Sequence, residues 1–336
     1  MAIKFRIAST ALFLCLFAAF AVAQKSSKTG EIVVPATYKQ PAVEWSQPLQ
    51  TILTRAVGET IEAFKSKDLK TEQIAATVID LSDPKGWTSA TVNGGTKMYP
   101  ASVVKMFYVA ALQRQLEDGK IKMSPELQRG MHDMIVDSSN EATQYILDVI
   151  TDTSSGAELP AKQFEAWQYK RNRVNRYFAS MGYTDINVNQ KTFCEDAYGI
   201  EQQSRNYKGQ NRNMLTTNAT ARLLAEIVTG RMAAAAGTTQ MMELLRRDPF
   251  AETKDKDDQA HGFSGIALID KKMTDAKLWS KAGWTSTARH DAAYIETADG
   301  LKFVIVVFTE KQATLKEPIP MIVGKMINGL RQNQKR

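Results

Sequence analysis

A serine and a lysine three residues apart, Ser102 and Lys105, lie in a stretch whose composition predicts a buried helix, residues 99–112. Pro100 stands near its start, where a missing N–H costs least, and Lys105 is the one charge among apolar or weakly polar residues from 103 to 112. A buried ammonium needs partners or loses its proton, and the spacing puts Ser102 on the same helical face. A hydroxyl beside a desolvated amine is a candidate nucleophile. Taken alone, the stretch also allows a simpler interpretation, in which Ser102 caps the helix and Lys105 extends to the surface.

A serine-x-asparagine motif follows at Ser138-Ser139-Asn140, after an apolar run and directly before a predicted helix. Ser204-Arg205-Asn206 fits the same bare pattern, but it lies in a long polar loop. Serine and asparagine are also common helix caps, so this motif by itself leaves capping open as its role.

A lysine-x-glycine motif, Lys281-Ala282-Gly283, lies on a predicted strand late in the chain. A cation there would attract an anionic substrate group, and a small residue would let substrate lie along the strand. Ala282 carries no hydroxyl, so it offers no side-chain hydrogen bond. The literal Lys28-Thr29-Gly30 precedes the candidate nucleophile and lies on no predicted strand.

The order of predicted elements indicates an α/β (α+β) fold with an interrupted sheet. A predicted helix at 49–64 precedes the predicted strands, and the last predicted helix, at 319–330, follows them. Strands are predicted at 73–81, 87–92, 265–269, 277–281, 289–295 and 302–308, and a helical block separates the second from the third. The first and last segments would pair into one antiparallel sheet.

This order divides a domain at 49–336 into two lobes. Residues 49–98 and 262–336 would form the α/β lobe, and residues 99–261 the helical lobe, which includes a predicted helix at 161–181 and an irregular loop at 185–211. The Ser102 helix would lie at their junction, where clefts favour binding sites.

The first 23 residues have the pattern of a secretory signal peptide. Lys4 and Arg6 precede an apolar run at 7–20, and small residues at 21–23 end it. We therefore expect cleavage after Ala23 and an exported protein, periplasmic or secreted. Residues 24–48, with three prolines and little periodicity, are predicted to be a tether.

Composition narrows the function further. Cleavage would leave a single cysteine, Cys194, so no intramolecular disulfide is expected. The three histidines have no metal-ligand spacing, and we predict neither metal nor cofactor. The net charge of +7 comes without a basic stripe interleaved with aromatics, which argues against nucleic acid. We expect a monomer.

With its three motifs in this order, the chain resembles the serine β-lactamase and penicillin-binding-protein superfamily, most nearly the class A β-lactamases. The resemblance runs from about residue 49 to about residue 330. It implies a β-lactamase/transpeptidase-like fold and an enzyme without cofactor, which opens a cyclic amide through a serine acyl-enzyme. The implied substrate is a β-lactam or a peptide that ends in D-alanyl-D-alanine.

The resemblance also implies catalytic roles. Ser102 would be the acylated nucleophile, and Lys105 would help to deprotonate it. Ser138 would pass a proton to the leaving nitrogen. The backbone N–H groups of Ser102 and Trp284 would form the oxyanion hole.

Substrate-binding roles follow in the same way. Asn140 would hydrogen-bond the acylamide side chain of the substrate. Lys281 would attract its carboxylate and hold Ser138, while Gly283 would leave room along the strand. Arg289 would clamp the carboxylate from the neighbouring strand, although an ordinary strand-face arginine would fit the same position.

The chain departs from the class A pattern at the residue that should activate the deacylating water. The arginine-x-glutamate-x-x-leucine-asparagine pattern is absent, and the expected neighbourhood offers Glu195, Asp196 and Glu201. The candidates for the base are the two glutamates. Either would be this base or a solvated loop carboxylate. A class A-like β-lactamase is the leading hypothesis. The alternatives are a D-alanyl-D-alanine carboxypeptidase and a penicillin-binding sensor without turnover.

Overall fold

The computed structural model describes residues 30–193 and 195–334. The chain divides into two units, Met1–Glu31 and Ile32–Arg336. The predicted signal peptide, residues 1–23, and Cys194 both lie outside the described residues. All elements below belong to the second unit.

Within the described residues, seven strands form one sheet in the order β1-β3-β2-β7-β6-β5-β4. The strands are β1 (Val43–Trp45), β2 (Ile74–Asp80), β3 (Trp87–Val92), β4 (Arg246–Arg247), β5 (Lys277–Trp284), β6 (Ala288–Glu296) and β7 (Lys302–Glu310). Neighbouring strands run antiparallel except β1, which pairs in parallel with β3. The predicted α/β class with a mainly antiparallel sheet is confirmed.

The central strand β7 is buried on both faces, which explains its continuous apolar sequence. Its odd-numbered residues pack with α1 (Gln47–Ala63), α10 (Ser264–Asp270) and α11 (Pro318–Gln334). Its even-numbered residues pack on the opposite face, with α2 (Lys105–Glu117) and α8 (Thr217–Val228). The sheet is thus the middle layer between the terminal helices and the helical block.

The helical block surrounds α2, in which every residue from Lys105 to Gln113 is buried. Its other helices are α3 (Pro125–Ile135), α4 (Asn140–Thr151), α5 (Ala161–Arg171), α6 (Arg173–Ser180), α7 (Ile200–Arg205) and α9 (Ala235–Leu245). Side-chain caps begin several of them: Ser124 accepts from the Leu127 N–H at 3.1 Å, and Ser139 from the Ala142 N–H at 3.1 Å. No helix among the described residues is long and apolar enough to cross a membrane.

The structure corrects part of the predicted tether at 24–48. Val43–Trp45 forms an edge strand of the sheet, and α1 already begins at Gln47. Ile32 is buried, and the Tyr38 hydroxyl contacts the Glu226 carboxylate at 2.9 Å. Residues 32–48 therefore pack on the domain, held by long-range contacts that local sequence does not reveal.

Three further assignments also change. Residues 265–269, predicted as a strand, belong to α10, because a short apolar run does not distinguish a buried strand from a buried helix. The predicted helix at 161–181 is two helices that meet at Asn172. The predicted irregular loop at 185–211 contains the short helix α7.

Truncation of Ile305 to alanine should destabilise the protein. This residue lies at the centre of β7 with 1 % of its surface exposed. We expect a loss of about 2–5 kcal/mol in the free energy of unfolding, measured by urea denaturation. Lys302→Ala, at an exposed position on the same strand, is the control and should change stability by less than about 0.5 kcal/mol. A loss below about 1 kcal/mol for Ile305→Ala would contradict this packing.

Candidate active site

Ser102 lies in a tight 3-10 turn, Ala101–Val104, that leads directly into α2. Ala101 has a φ of 47°, a left-handed conformation that a non-glycine residue adopts only when its surroundings enforce it. Ser102 itself is half-buried, and its neighbours in the turn are buried. The chain therefore presents this serine at a strained bend, whose conformation must be held by contacts from elsewhere.

Strand β5 supplies the closest of these contacts through Gly283. A Cβ atom on Gly283 would lie 2.8 Å from both the Pro100 carbonyl oxygen and the Ser102 nitrogen, and 2.9 Å from the Val103 nitrogen. Real Cβ atoms do not come so close to backbone, so only glycine allows this approach. The Ser102 N–H thus lies along the strand that ends one residue later at Trp284.

His290, which the sequence analysis did not single out, fixes the same turn. It pairs with Gly283 across β5 and β6. Its Nε2 donates to the Tyr99 carbonyl oxygen at 2.9 Å, and its Nδ1 accepts from the Thr309 N–H at 3.1 Å. Because Nδ1 faces an N–H donor, the imidazole must be neutral with its proton on Nε2. Burial lowers the pKa of His290 to about 4, which favours that neutral form.

The Ser138 hydroxyl joins two buried lysines. Lys105 Nζ lies 3.2 Å and Lys281 Nζ 2.9 Å from Ser138 Oγ, and neither lysine has exposed surface. Lys105 also donates to the Ser138 carbonyl oxygen at 2.5 Å and to Asn140 Oδ1 at 3.0 Å. The alternative that Lys105 extends to the surface is therefore wrong, and Ser139 rather than Ser138 caps the next helix.

Gln259 is a second residue that the sequence analysis missed. Its Oε1 accepts from Lys281 Nζ at 2.6 Å and from the Ala282 N–H at 3.2 Å. Its Nε2 donates to the carbonyl oxygens of Ile135 at 3.1 Å and Val136 at 2.7 Å. This one amide thus ties β5 to the segment that leads into Ser138.

The positive charges of Lys105 and Arg247 repel a positive charge on Lys281. Burial lowers the pKa of Lys281 well below its ordinary value, and the charges of Lys105 and Arg247 lower it further. Burial also lowers the pKa of Arg247 to about 10. A hydroxyl can accept two hydrogen bonds but donates only one, so Ser138 can relay a proton to whichever amine is neutral. The arrangement is suited to proton transfer beside Ser102.

Arg289 does not point to open solvent. It is 2 % exposed and forms an ion pair with Asp257, and its Nη2 donates to the Gly262 carbonyl oxygen at 2.6 Å. Its guanidinium lies 4.0 Å from the centroid of the Phe263 ring. Trp284, which is 44 % exposed, packs against the same Phe263 ring, with 5.6 Å between the two ring centroids. The expected carboxylate clamp is thus occupied by a carboxylate of the protein itself.

Glu201, one of the two candidate bases, belongs to a buried ionic cluster. Arg171 binds both of its oxygens at 2.8 Å, the Ser155 hydroxyl donates at 2.8 Å, and Lys191 Nζ lies at 3.3 Å. Burial alone would raise the pKa of Glu201, but the charge and hydrogen bonds of Arg171 hold it below its ordinary value. This carboxylate is therefore ionised and held by structural contacts.

Glu195, the other candidate, is exposed and makes no hydrogen bond or ion pair with a described residue. Neither Glu195 nor Glu201 contacts Ser102, Lys105 or Ser138 in this way. The structure thus brings Ser138 and the two lysines together, and strand β5, which carries Lys281, also approaches the turn that carries Ser102. Neither carboxylate considered for deacylation belongs to this group.

Among the described residues, one cluster carries metal-ligand side chains. His132, Asp133 and Asp137 bring ligand atoms within 4.8 Å of one another at the end of α3. The sequence shows no such spacing, because Asp137 follows the helix and approaches the histidine only through the turn. His132 and Asp137 are exposed and Asp133 is partly buried, and imidazole and carboxylate groups of this kind can bind a divalent cation.

The fold and the site define a serine hydrolase of the β-lactamase and penicillin-binding-protein superfamily. The family model described as β-lactamase enzyme family matches residues 56–327. The chain therefore belongs to this family and is a serine β-lactamase-like hydrolase.

Solved structures share the fold at low identity. A β-lactamase from Sphaerobacter thermophilus DSM 20745 is 19% identical, with a TM-score of 0.58, covering 85% of this chain and 97% of that one. A class A β-lactamase from Bacteroides cellulosilyticus DSM 14838 is 15% identical, with a TM-score of 0.59, covering 85% and 100%. An L158E mutant of PBP-A, solved as an acyl-enzyme complex with penicillin G, is 15% identical, with a TM-score of 0.56, covering 83% and 97%. No curated protein matches the sequence.

Gly283→Ala should impair acylation of Ser102, because the new methyl group must displace the turn that carries the nucleophile. We expect the rate of labelling by a fluorescent penicillin to fall about 10- to 100-fold, as misplacements near 1 Å do in enzymes. Gly95→Ala is the control, since a Cβ there meets nothing within 4 Å. An unchanged labelling rate in Gly283→Ala would contradict the close approach of β5.

Acid should destabilise the protein through His290. The native pKa near 4 lies below that of an unfolded histidine, so the unfolded state takes up the proton first as the pH falls. From pH 6.5 to pH 4 the free energy of unfolding should therefore fall by about 3 kcal/mol from this group. Urea denaturation of the wild type and His290→Gln at several pH values measures the difference. Parallel pH profiles for the two proteins would contradict a buried neutral His290.

Proposed function

We propose that this protein is an exported enzyme that β-lactams acylate on Ser102. The Ser102 oxygen forms a bond to the lactam carbonyl carbon, and the carbon–nitrogen bond of the ring breaks. The hydroxyl proton reaches the departing nitrogen through Lys105 and Ser138. Water then hydrolyses the ester and regenerates the serine.

The observation that carries this proposal is the Ser138 hydroxyl between Lys105 and Lys281 beside the Ser102 turn. Burial and the nearby charge of Lys105 lower the pKa of Lys281, and the repulsion between two amines that share one hydroxyl favours loss of a proton from one of the pair. The N–H groups of Ser102 and Trp284 are suited to binding the oxyanion, since Gly283 lets β5 approach the turn.

Slow hydrolysis of the acyl-enzyme is part of the proposal. The Glu201 carboxylate is bound on both oxygens by Arg171, and Glu195 is exposed at the surface. Neither is arranged to activate water at Ser102, so the ester should be long-lived. The same observation favours a second candidate, a D-alanyl-D-alanine carboxypeptidase or penicillin-binding sensor, for which a penicillin ester is a dead end.

Export is supported by the amino-terminal pattern alone, in which two basic residues precede an apolar run that ends in small residues at 21–23. Such a location gives access to extracellular β-lactams and to peptidoglycan peptides.

The test is a time course with a fluorescent penicillin that follows both the protein-bound label and the remaining free drug. We expect wild type to bind about one equivalent and to keep it, while Ser102→Ala remains unlabelled, because the ester forms at that hydroxyl. Glu195→Gln should leave the decay of the label unchanged. Rapid loss of drug with little label would instead indicate efficient β-lactamase turnover, and no label on wild type would contradict acylation at Ser102.

Release of D-alanine from a peptide ending in D-alanyl-D-alanine tests the second candidate in parallel. Such release by wild type but not by Ser102→Ala would assign the peptidase activity to the same serine.

A further inference from the structure

Arg289 already binds a carboxylate, that of Asp257 in the loop between β4 and α10. The other oxygen of Asp257 lies 2.7 Å from Lys316 Nζ. The Gly262 carbonyl oxygen and the Phe263 ring complete the surroundings of the guanidinium. Arg289 Nε is buried without a hydrogen-bond partner among the described residues, so the group still has an unused donor.

This ion pair lies next to the predicted oxyanion hole. Arg289 is the direct partner of Trp284 in the register of β5 and β6. Trp284 follows Gly283, and a Cβ atom added to that glycine would contact the Ser102 nitrogen. The Phe263 ring contacts both the Trp284 ring and the Arg289 guanidinium. One aromatic ring therefore contacts both the guanidinium and the side chain at the end of the strand along which substrate would lie.

The loop is shaped to hold Asp257 in this position. A Cβ on Gly262 would lie 2.6 Å from Asp257 Oδ1 and 2.9 Å from its Cα, so only glycine allows the loop to close on that carboxylate. Burial alone would raise the pKa of Asp257, but hydrogen bonds from Lys316 and Arg289 hold it below its usual range. At 36 % side-chain exposure Asp257 still meets solvent, unlike the arginine that it covers.

We propose that Asp257 is a specificity-determining residue, whose carboxylate takes the place on Arg289 that the carboxylate of a substrate would take. The inference rests on the proposed acylation of Ser102 by β-lactams. With Arg289 neutralised, Lys281 is left as the cation for an anionic substrate group. The site accordingly favours acylating amides that carry no carboxylate at this position, and it gains little from the carboxylate of a penicillin.

The experiment compares the rates at which benzylpenicillin and its methyl ester acylate wild type, Asp257→Asn and Glu252→Gln. Glu252 is an exposed acid in the same loop, so its variant matches the change in charge. For Asp257→Asn we expect the acid-to-ester rate ratio to rise about tenfold, as charge-assisted hydrogen bonds typically allow. The ratio should stay constant in Glu252→Gln. If wild type is acylated but the ratio in Asp257→Asn is unchanged, the specificity role of Asp257 is overturned while the proposed function stands.

A binding measurement makes the inference independent of acylation. In Asp257→Ala the buried guanidinium lacks its counterion, so sodium formate should raise the melting temperature of this variant by several degrees more than sodium chloride does at equal ionic strength. Glu252→Ala should show no such difference. Equal effects of the two salts on Asp257→Ala would show that Arg289 takes no external carboxylate and would overturn the inference. Absence of labelling on wild type would instead overturn the proposed function and, with it, the specificity role.

Discussion

Two lysine side chains without exposed surface meet at the Ser138 hydroxyl, and much of the structure serves to make that burial tolerable. Each amine needs several acceptors, because an unpaired buried charge costs several kcal/mol. Asn140 and the Ser138 carbonyl serve Lys105, and Gln259 with the Ala282 carbonyl serves Lys281. The hydroxyl is thus held jointly by α2 from the helical block and β5 from the sheet. The positive φ of Ser138, 57°, is consistent with a backbone held by these contacts.

The second constraint is the short distance between β5 and the turn that carries Ser102. Gly283 removes the side chain that would block this approach, and His290, its partner in the sheet, holds the Tyr99 carbonyl on the other side. The bond that its Nδ1 accepts from the Thr309 N–H requires a neutral imidazole. The strained φ of Ala101 is therefore maintained by rigid sheet backbone rather than by the turn itself.

Two acidic residues, Glu201 and Asp257, are bound to cationic partners within the protein. Glu201 neutralises Arg171 and Lys191 in the helical block, and Asp257 neutralises Arg289 beneath Trp284. In both cases the carboxylate is the counterion of cations that would otherwise be buried without one. In the proposed mechanism, the first contact keeps Glu201 from acting as the base for hydrolysis. The second is the basis of the specificity role proposed for Asp257.

The sequence by itself determined the residues whose chemistry depends on short spacing. Ser102 and Lys105 share one helical turn, and Ser138 and Asn140 flank a helix start, so their types and order sufficed to predict the superfamily and the fold class. The sequence did not reveal Gln259, His290 or Asp257, because each acts through a partner distant in the chain and lies in a segment without a motif. Tertiary structure alone decided that residues 32–48 pack on the domain, that Glu201 is held in an ionic cluster, and that Arg289 is already paired. In each case the deciding contact joins segments far apart in sequence, and its energy depends on burial that only the complete fold creates.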